Sequence, residues 1–231
     1  VLPLTAVQDG IYFHSTFGDA DPYVVGQVVD IRGPVDSELL RTALEHVVAR
    51  HATLRTSFRP LADGRVVQVV HRTVDVPFSV SDASVDEVLA EQARAGMDLG
   101  SAPLVRYTLV RHDETRSSLV QSIHHIVADG WSIPIMLREM LAHYGDTPAL
   151  PAVTAPAAWI RHLAERDVDA SARVWGAALE GVRESVPVPP FGAAGSGTAS
   201  VRIDLTPEVA AVVSGRARDA AVTQGSLLHG A

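Results

Sequence analysis

Hydrophobic and polar positions alternate, or recur at helical spacing, through the first half of the chain, and they predict its secondary structure. Four stretches are β-rich: 23–31, 53–59, 65–72 and 104–112. A short polar turn joins the second and third of these in a predicted hairpin. Three amphipathic stretches predict helices: 4–15, 36–51 and 84–96. We therefore predict an α/β fold in which helices pack on a mixed, largely antiparallel sheet.

Two of these helices carry clear signals at their ends or on one face. Asp36 can cap the second helix, whose apolar stripe is Leu39, Leu40, Ala43, Leu44, Val47 and Val48. Ser84 and Glu87 have the spacing of a capping box at the start of the third helix, and Gly96 can end it. The stripe predicts which face of the second helix meets the core.

The middle of the chain reads LVQSIHHIVADGWS and predicts a strand, a tight turn and a helix. The strand leads to the adjacent histidines His124 and His125, and it is predicted to pair antiparallel with the strand before it. Asp129 and Gly130 follow in the turn. Apolar residues then recur at helical spacing, at Ile133, Met136, Leu137, Met140, Leu141 and Tyr144. Ser132 is predicted to cap this helix, so an imidazole stands beside a helix N-terminus.

Each polar residue of this segment has a structural and a functional interpretation. Successive strand residues point to opposite faces, so at least one of His124 and His125 is predicted to be a packed, hydrogen-bonded histidine. The pattern does not choose between them, and the other imidazole can accept a proton from an amine or a hydroxyl. Asp129 is either a catalytic carboxylate or a turn residue that binds local backbone or an arginine. Gly130 allows an unusual backbone conformation or a close approach.

Composition and charge narrow the function. The chain of 231 residues has no cysteine, and all 19 of its basic residues are arginine, which rules out cysteine-ligated metals, Schiff-base lysines and Walker-type lysines. A net charge of −8 with interspersed signs argues against nucleic acid as a partner. No apolar run approaches the length of a membrane span. We predict a cytoplasmic piece of a larger protein that binds no metal and contacts no membrane.

The motif His124-His125-x-x-x-Asp129-Gly130 resembles the HHxxxDG signature of the condensation domains of nonribosomal peptide synthetases. It is more distantly similar to the HxxxDG of chloramphenicol-acetyltransferase-like acyltransferases. Residues 50–58, RHATLRTSF, resemble the second condensation motif, RHxxLRTxF, and residues 8–14, QDGIYFH, resemble the first, PLQxGxxFH. The region around Trp159 matches the fourth motif only weakly. The order and spacing of the motifs extend the resemblance over nearly the whole chain.

The resemblance implies an enzyme that forms an amide bond between a donor acyl or peptidyl thioester and an acceptor aminoacyl thioester. Its partners would be donor and acceptor peptidyl carrier domains, whose phosphopantetheine arms carry the substrates, and adjacent synthetase domains. No intrinsically bound cofactor is implied. His125 would be catalytic, either as a base or as a group that orients the amine and stabilises charge. Gly130 would leave room for substrate and offer a backbone N–H.

The same resemblance implies supporting residues and two lobes. His124, Asp129 and Arg55 would support the site, with Arg55 and Asp129 forming a buried ion pair. Residues 1–180 would form an N-terminal lobe of the chloramphenicol-acetyltransferase-like type. The sequence pattern itself predicts a linker rich in Pro, Gly and Ser over 181–200 and a strand over Val201–Leu205, so 201–231 would begin an incomplete C-terminal lobe. The missing C-terminal lobe would be needed for catalysis, so the fragment alone would be inactive.

Two alternatives stay open. One is a coenzyme A-dependent acyltransferase of the same superfamily with a hydroxyl acceptor, and a requirement for carrier domains would exclude it. The other is a non-catalytic condensation-like domain that only recruits partners. Loss of product in a His125 variant would exclude that second alternative.

Overall fold

The structure is a computed structural model, and it describes residues 1–17, 21–145, 150–182 and 203–229. Its strands are β1 (Leu2–Pro3), β2 (Val24–Arg32), β3 (Thr56–Pro60), β4 (Val66–Val70), β5 (Phe78–Ser81), β6 (Val105–Asp113) and β7 (Arg116–His124). Its helices are α1 (Ala6–Phe17), α2 (Ser37–Arg50), α3 (Val85–Ala95), α4 (Ser132–Tyr144), α5 (Pro156–Ala164), α6 (Val168–Ala178), α7 (Pro207–Asp219) and α8 (Gln224–His229). A 3-10 helix, Ala52–Arg55, precedes β3. The predicted α/β fold is confirmed.

A four-stranded sheet in the order β2-β7-β6-β5 carries the strand that ends at the two histidines. Both β2 and β6 run antiparallel to β7, as predicted for β6, and β5 runs parallel to β6. The sheet is therefore mixed and largely antiparallel. Every residue of β7 after Arg116 is buried, because the strand is central and helices cover both faces of the sheet.

Helices α2 and α4 pack together and cover one face of this sheet. The carboxylate of Asp36 accepts hydrogen bonds from two backbone N–H groups of the first turn of α2, so the predicted cap is confirmed. The buried stripe of α2 is Leu40, Ala43, Leu44, Val47 and Val48. The prediction is wrong for Leu39, which is 42% exposed. In α4 the apolar face is narrower than predicted, because Leu141 is exposed as well.

A buried acidic residue joins α2 to α4. Glu139 lies on the core side of α4 and is 2% exposed. Its Oε2 atom lies 2.6 Å from Nε2 of His51 and 3.1 Å from Nε of Arg50. Burial alone would raise the pKa of Glu139, but the hydrogen bond from His51 and the charges of His51 and Arg50 outweigh burial and lower it. Both basic partners belong to the segment that resembles the second motif.

Helix α3 covers the opposite face of the sheet. Val88 packs there against Val110 and Val120, the buried residues of a second, smaller core. The predicted capping box is confirmed, since the side chain of Ser84 accepts from the Glu87 N–H and the Glu87 side chain accepts from the Ser84 N–H. The helix ends at a glycine, as predicted.

A second, three-stranded sheet has the order β1-β4-β3 and contains the predicted hairpin. The turn between β3 and β4 includes Gly64 at φ +84°, a left-handed conformation that favours glycine. The first residues of the chain add β1 to this sheet, which the sequence patterns did not predict.

The chain divides into two compact units, residues 1–173 and 174–231. In the second unit, Thr206 caps α7 through a hydrogen bond from the Val209 N–H, and Ala217 is buried. No strand forms over residues 203–205, so that part of the predicted strand is wrong; a single strand gains nothing without a pairing neighbour. Most of the predicted linker over 181–200 falls outside the described residues, and the predicted lobe boundaries stay predictions. None of the helices in the described ranges is both long and apolar enough to cross a membrane.

Candidate active site

The end of β7 is held by backbone hydrogen bonds from several directions. The N–H of His124 donates to the Leu104 carbonyl at 3.0 Å, and the N–H of His125 donates to the Tyr23 carbonyl at 2.9 Å. The N–H of Val127 closes a tight turn onto the His124 carbonyl at 3.1 Å. On this backbone the two side chains have different surroundings: His124 is buried in the interior and His125 is exposed.

His124 is fully buried, and both of its ring nitrogens have partners. Nδ1 accepts a hydrogen bond from the Ile126 N–H at 3.1 Å, so Nε2 must carry the ring proton, and it lies 2.7 Å from Oδ2 of Asp21. Burial lowers the pKa of His124 because a charged imidazolium is unfavourable away from water, although the hydrogen bond and charge of Asp21 act in the opposite direction. The prediction that at least one of the adjacent histidines is packed and hydrogen-bonded is confirmed, and it is His124.

His125 has the opposite surroundings. Its Nδ1 lies 3.1 Å from the carbonyl oxygen of Ala128, which can only accept, so Nδ1 carries the proton in the neutral ring. Nε2 then keeps a free lone pair, and within the described ranges no side chain or backbone group binds it. A hydrogen bond that fixes one ring nitrogen sets the tautomer and leaves the other nitrogen for chemistry. The ring is therefore arranged to accept a proton at Nε2.

A cleft of about 300 Å³ borders His125. Its polar wall includes Thr5, Gln8, Gln68 and Ser132, and its apolar wall includes Val127, Trp159 and Ile160. A mostly apolar cleft with a few convergent polar groups is the usual form of a small-molecule site, since apolar surface binds the ligand and polar atoms orient it. A larger cavity of about 460 Å³ beside α3 contains no histidine.

Two glutamines connect the cleft wall to the turn after His125. Gln8 donates from Nε2 to the Ile126 carbonyl at 3.1 Å, and Gln68 donates to Oε1 of Gln8 at 2.9 Å and to the Pro3 carbonyl at 2.8 Å. These contacts join α1, β4 and the turn. In the sequence, Gln8 stands out only as part of a motif, and Gln68 was not predicted as a site residue. The sequence signal for Gln68 was its position as the one polar residue in an otherwise apolar strand. Its side chain is buried in the structure, with 2% exposure.

The predicted ion pair between Asp129 and Arg55 does not form. Oδ1 of Asp129 accepts from the Ser132 N–H at 2.9 Å and from the Ser132 hydroxyl at 2.6 Å, and these hydrogen bonds lower its pKa. Arg55 donates instead to the carbonyls of Ala49, His71 and Arg72. The physical reason is local: the carboxylate lies in an exposed turn where nearby donors bind it, and the guanidinium sits on a 3-10 helix beside the end of β4.

The turn also differs from prediction at its glycine and at the start of the helix. Gly130 does not adopt a left-handed conformation, and a Cβ atom added there would meet nothing within 4 Å. The open space agrees with room for a ligand, whereas the unusual backbone conformation is not present. Ser132 is the first residue of α4 and not its cap. Asp129 supplies the carboxylate that binds the Ser132 N–H, which is the function usually given to a capping residue.

A metal site in a protein requires several ligand side chains close together. Across the described residues, no three His, Cys, Asp or Glu side chains come together in a way that could hold a metal ion.

His125 directly follows β7, so the imidazole that the sequence pattern predicted at the end of a strand is present. The family model described as "Condensation domain" matches residues 1–231, so the chain belongs to the condensation-domain family.

Similar proteins agree with this assignment. The chain is 33% identical over 178 residues to the chondramide synthase of Chondromyces crocatus, and the match covers 72% of this chain and 5% of the synthase. It is similar to the crystal structure of SgcC5 from Streptomyces globisporus, with a TM-score of 0.74, 25% identity, and coverage of 96% of this chain and 56% of that one. The starter condensation domain of rhizomide synthetase RzmA has the same fold, with a TM-score of 0.66, 23% identity, and coverage of 79% of this chain and 48% of that one. The chain thus spans about half of each solved chain and a small part of the synthase.

Proposed function

We propose that this chain contributes the catalytic histidine of an amide-forming condensation reaction. The substrates are a donor acyl or peptidyl thioester and an acceptor aminoacyl thioester. The observation that carries the proposal concerns the two ring nitrogens of His125. Nδ1 is bound to the Ala128 carbonyl, and Nε2 has no partner among the described residues, while the ring borders a cleft. Membership of the condensation-domain family supports the reaction class.

The acceptor amine attacks the carbonyl carbon of the donor thioester. A C–N bond forms, the C–S bond breaks, and the proton lost by the amine balances the thiolate that leaves. Nε2 of His125 either takes that proton or accepts a hydrogen bond that orients the amine and stabilises the developing charge. A thioester is already activated, so the geometry is compatible with both roles. Gly130 leaves space beside the turn, and its backbone N–H is a candidate donor to the substrate.

The proposal includes carrier domains as partners. Phosphopantetheine arms of donor and acceptor carrier domains bring the thioesters, and adjacent synthetase domains hold these carriers nearby in the cytoplasm. The residues near His125 supply one side of the reaction site, and a second lobe supplies the other. Holding both thioesters together provides much of the rate, so residues 1–231 alone are expected to be inactive.

The experiment is a condensation assay in a condensation domain that carries this sequence over the full length of the family. Donor and acceptor carriers are loaded with defined thioesters, and the amide product is measured by mass spectrometry. We expect product with both loaded carriers and very little when coenzyme A thioesters replace the donor carrier. Equal rates with the coenzyme A donor would favour the alternative acyltransferase function. Absence of product with every donor would favour the recruitment function.

A further inference from the structure

Asp21 lies outside the three condensation-domain motifs and contacts His124, the buried histidine next to His125. We propose that Asp21 is a positioning residue: it fixes the proton of His124 and, through His124, the peptide that follows His125. This inference rests on the proposed function of His125.

Three hydrogen-bond donors contact the carboxylate of Asp21. Oδ2 lies 2.7 Å from Nε2 of His124. Oδ1 accepts from the Ser15 hydroxyl at 3.0 Å and from the Tyr23 N–H at 2.9 Å. In all three contacts the oxygen of Asp21 is the hydrogen-bond acceptor. Asp21 therefore presents only an acceptor to His124.

Only one arrangement of protons satisfies the contacts of His124. The Ile126 N–H can only donate, so Nδ1 of His124 must accept. Nε2 must then carry the ring proton and donate a hydrogen bond to Asp21. Ser15 also lies near, with its hydroxyl 3.4 Å from Nε2. Ser15, His124 and Asp21 share the composition of a catalytic triad, but a protonated Nε2 cannot take the serine proton. The three residues form a fixed structural contact instead.

The ring of His124 acts directly on the backbone of the reactive residue. The Ile126 N–H belongs to the same planar peptide as the His125 carbonyl, so Nδ1 of His124 fixes the orientation of that peptide. The Tyr23 carbonyl fixes the peptide on the other side through the His125 N–H. With both flanking peptides held, the His125 ring reaches the Ala128 carbonyl and leaves Nε2 to the cleft.

The change Asp21→Asn keeps the shape of the side chain but breaks this proton arrangement. If the amide nitrogen faces His124, Nε2 must become an acceptor, Nδ1 takes the proton, and the Ile126 N–H meets a donor. If the amide oxygen faces His124, the amide nitrogen meets the Tyr23 N–H. Neither orientation satisfies all partners, so the turn is expected to loosen while the carboxylate volume is retained.

The test combines a rate with a spectroscopic readout in the full-length condensation domain. Single-turnover condensation is measured for wild type, Asp21→Asn and the control Asp30→Asn. Asp30 is an aspartate of β2 that accepts from the Ser118 hydroxyl away from the site. Imidazole ¹⁵N chemical shifts report the tautomers of His124 and His125. We expect Asp21→Asn to slow condensation by about 10- to 100-fold, because small misplacements near a reacting group have effects of that order. We also expect it to change the imidazole ¹⁵N shifts of His124, because Nε2 either becomes an acceptor or donates to an amide oxygen in place of a carboxylate, whereas Asp30→Asn should change neither the rate nor these shifts.

Unchanged condensation in folded Asp21→Asn would overturn the inference. So would an Nδ1–H tautomer of His124 in wild type near neutral pH, a measurement that remains decisive even if Asp21→Asn does not fold. If wild type makes no amide at all, the proposed function fails. The tautomers of His124 and His125 in wild type and variant would still decide whether Asp21 fixes the proton arrangement.

Discussion

Adjacent histidines at the end of β7 face two different regions of the molecule. His124 lies in the interior, where a backbone N–H and a carboxylate bind both ring nitrogens. His125 borders an open cleft, and among the described residues a partner is present only for its Nδ1. The residue type is the same, so the difference in chemistry comes entirely from burial and from the partners of each nitrogen. Under the proposed function, the ring with two partners holds structure, and the other ring keeps a nitrogen for the substrate.

The same contrast extends along the segment from the turn into α4. Glu139 is buried between two basic side chains from the α2 end, and Asp129 is exposed and bound by one serine. Polar groups in the interior should therefore control the free energy of unfolding, and polar groups at the cleft should control the condensation rate. Substitutions in each region test this division, and those in the interior should give the largest changes in stability.

Glu139→Ala should produce the largest loss of stability. The substitution leaves Arg50 and His51 without their shared carboxylate in a buried position, and removing one partner of a buried ion pair commonly costs about 3–5 kcal/mol. Denaturant unfolding of wild type and variant measures it. Glu139→Gln is the matched control, since it keeps the volume and one oxygen acceptor and should cost less. A loss below that of an ordinary surface substitution would show that this interior pair does not support the fold.

His124→Ala should also act through stability. It removes a fully buried ring and takes away the histidine partner of the Ile126 N–H and of Oδ2 of Asp21, so we expect about 3 kcal/mol of destabilisation. Thermal and denaturant unfolding measure this effect. A variant that kept its melting temperature but lost all condensation would contradict the assignment of His124 to the interior group.

Asp129→Ala should have a much smaller effect on stability than either interior change. The carboxylate binds the first N–H of α4 in an exposed turn, and loss of such a contact typically costs about 1 kcal/mol. A buried ion pair with Arg55 would have required several times more, and Arg55→Ala should not reproduce the Asp129→Ala effect. Measuring both variants by denaturant unfolding separates the two accounts. An equally large loss of stability in both variants would instead support the ion pair.

The free energy of unfolding should decrease gradually on acidification, because His124 is buried in its neutral form. The pKa of His124 is lowered by burial, so between its folded value and its ordinary value of about 6.5 the unfolded chain binds more protons than the folded chain. Stability should therefore fall as pH decreases through this window. His143, whose pKa is lowered by burial and then by the charges of His46 and Arg50, acts with the same sign. Denaturant unfolding at several pH values in this range gives the free energy of unfolding of wild type and of His124→Gln. This free energy should depend more steeply on pH in wild type, and an equal pH dependence would contradict the buried neutral ring.

Sequence patterns predicted the elements with strong periodicity and local capping signals. The stripe of α2, the capping box of α3 and the pairing of β6 with β7 all depend on residues close together in the sequence or on regular alternation. The partner of His124 was not predictable in this way, because Asp21 lies 103 residues away and no local pattern connects the two. The predicted ion pair of Asp129 with Arg55 is wrong for the reverse reason, because the backbone N–H and the hydroxyl of Ser132, only three residues away, bind the carboxylate.

The central claim is that His125, and not His124, carries the chemistry at the end of β7. The most direct test is single-turnover condensation by the full-length domain with loaded donor and acceptor carriers, comparing wild type with His125→Ala. The account predicts a loss of roughly 10²–10⁴-fold with a melting temperature close to that of wild type, because an exposed imidazole that moves a proton contributes to rate and not to folding. An unchanged single-turnover rate in His125→Ala would contradict it.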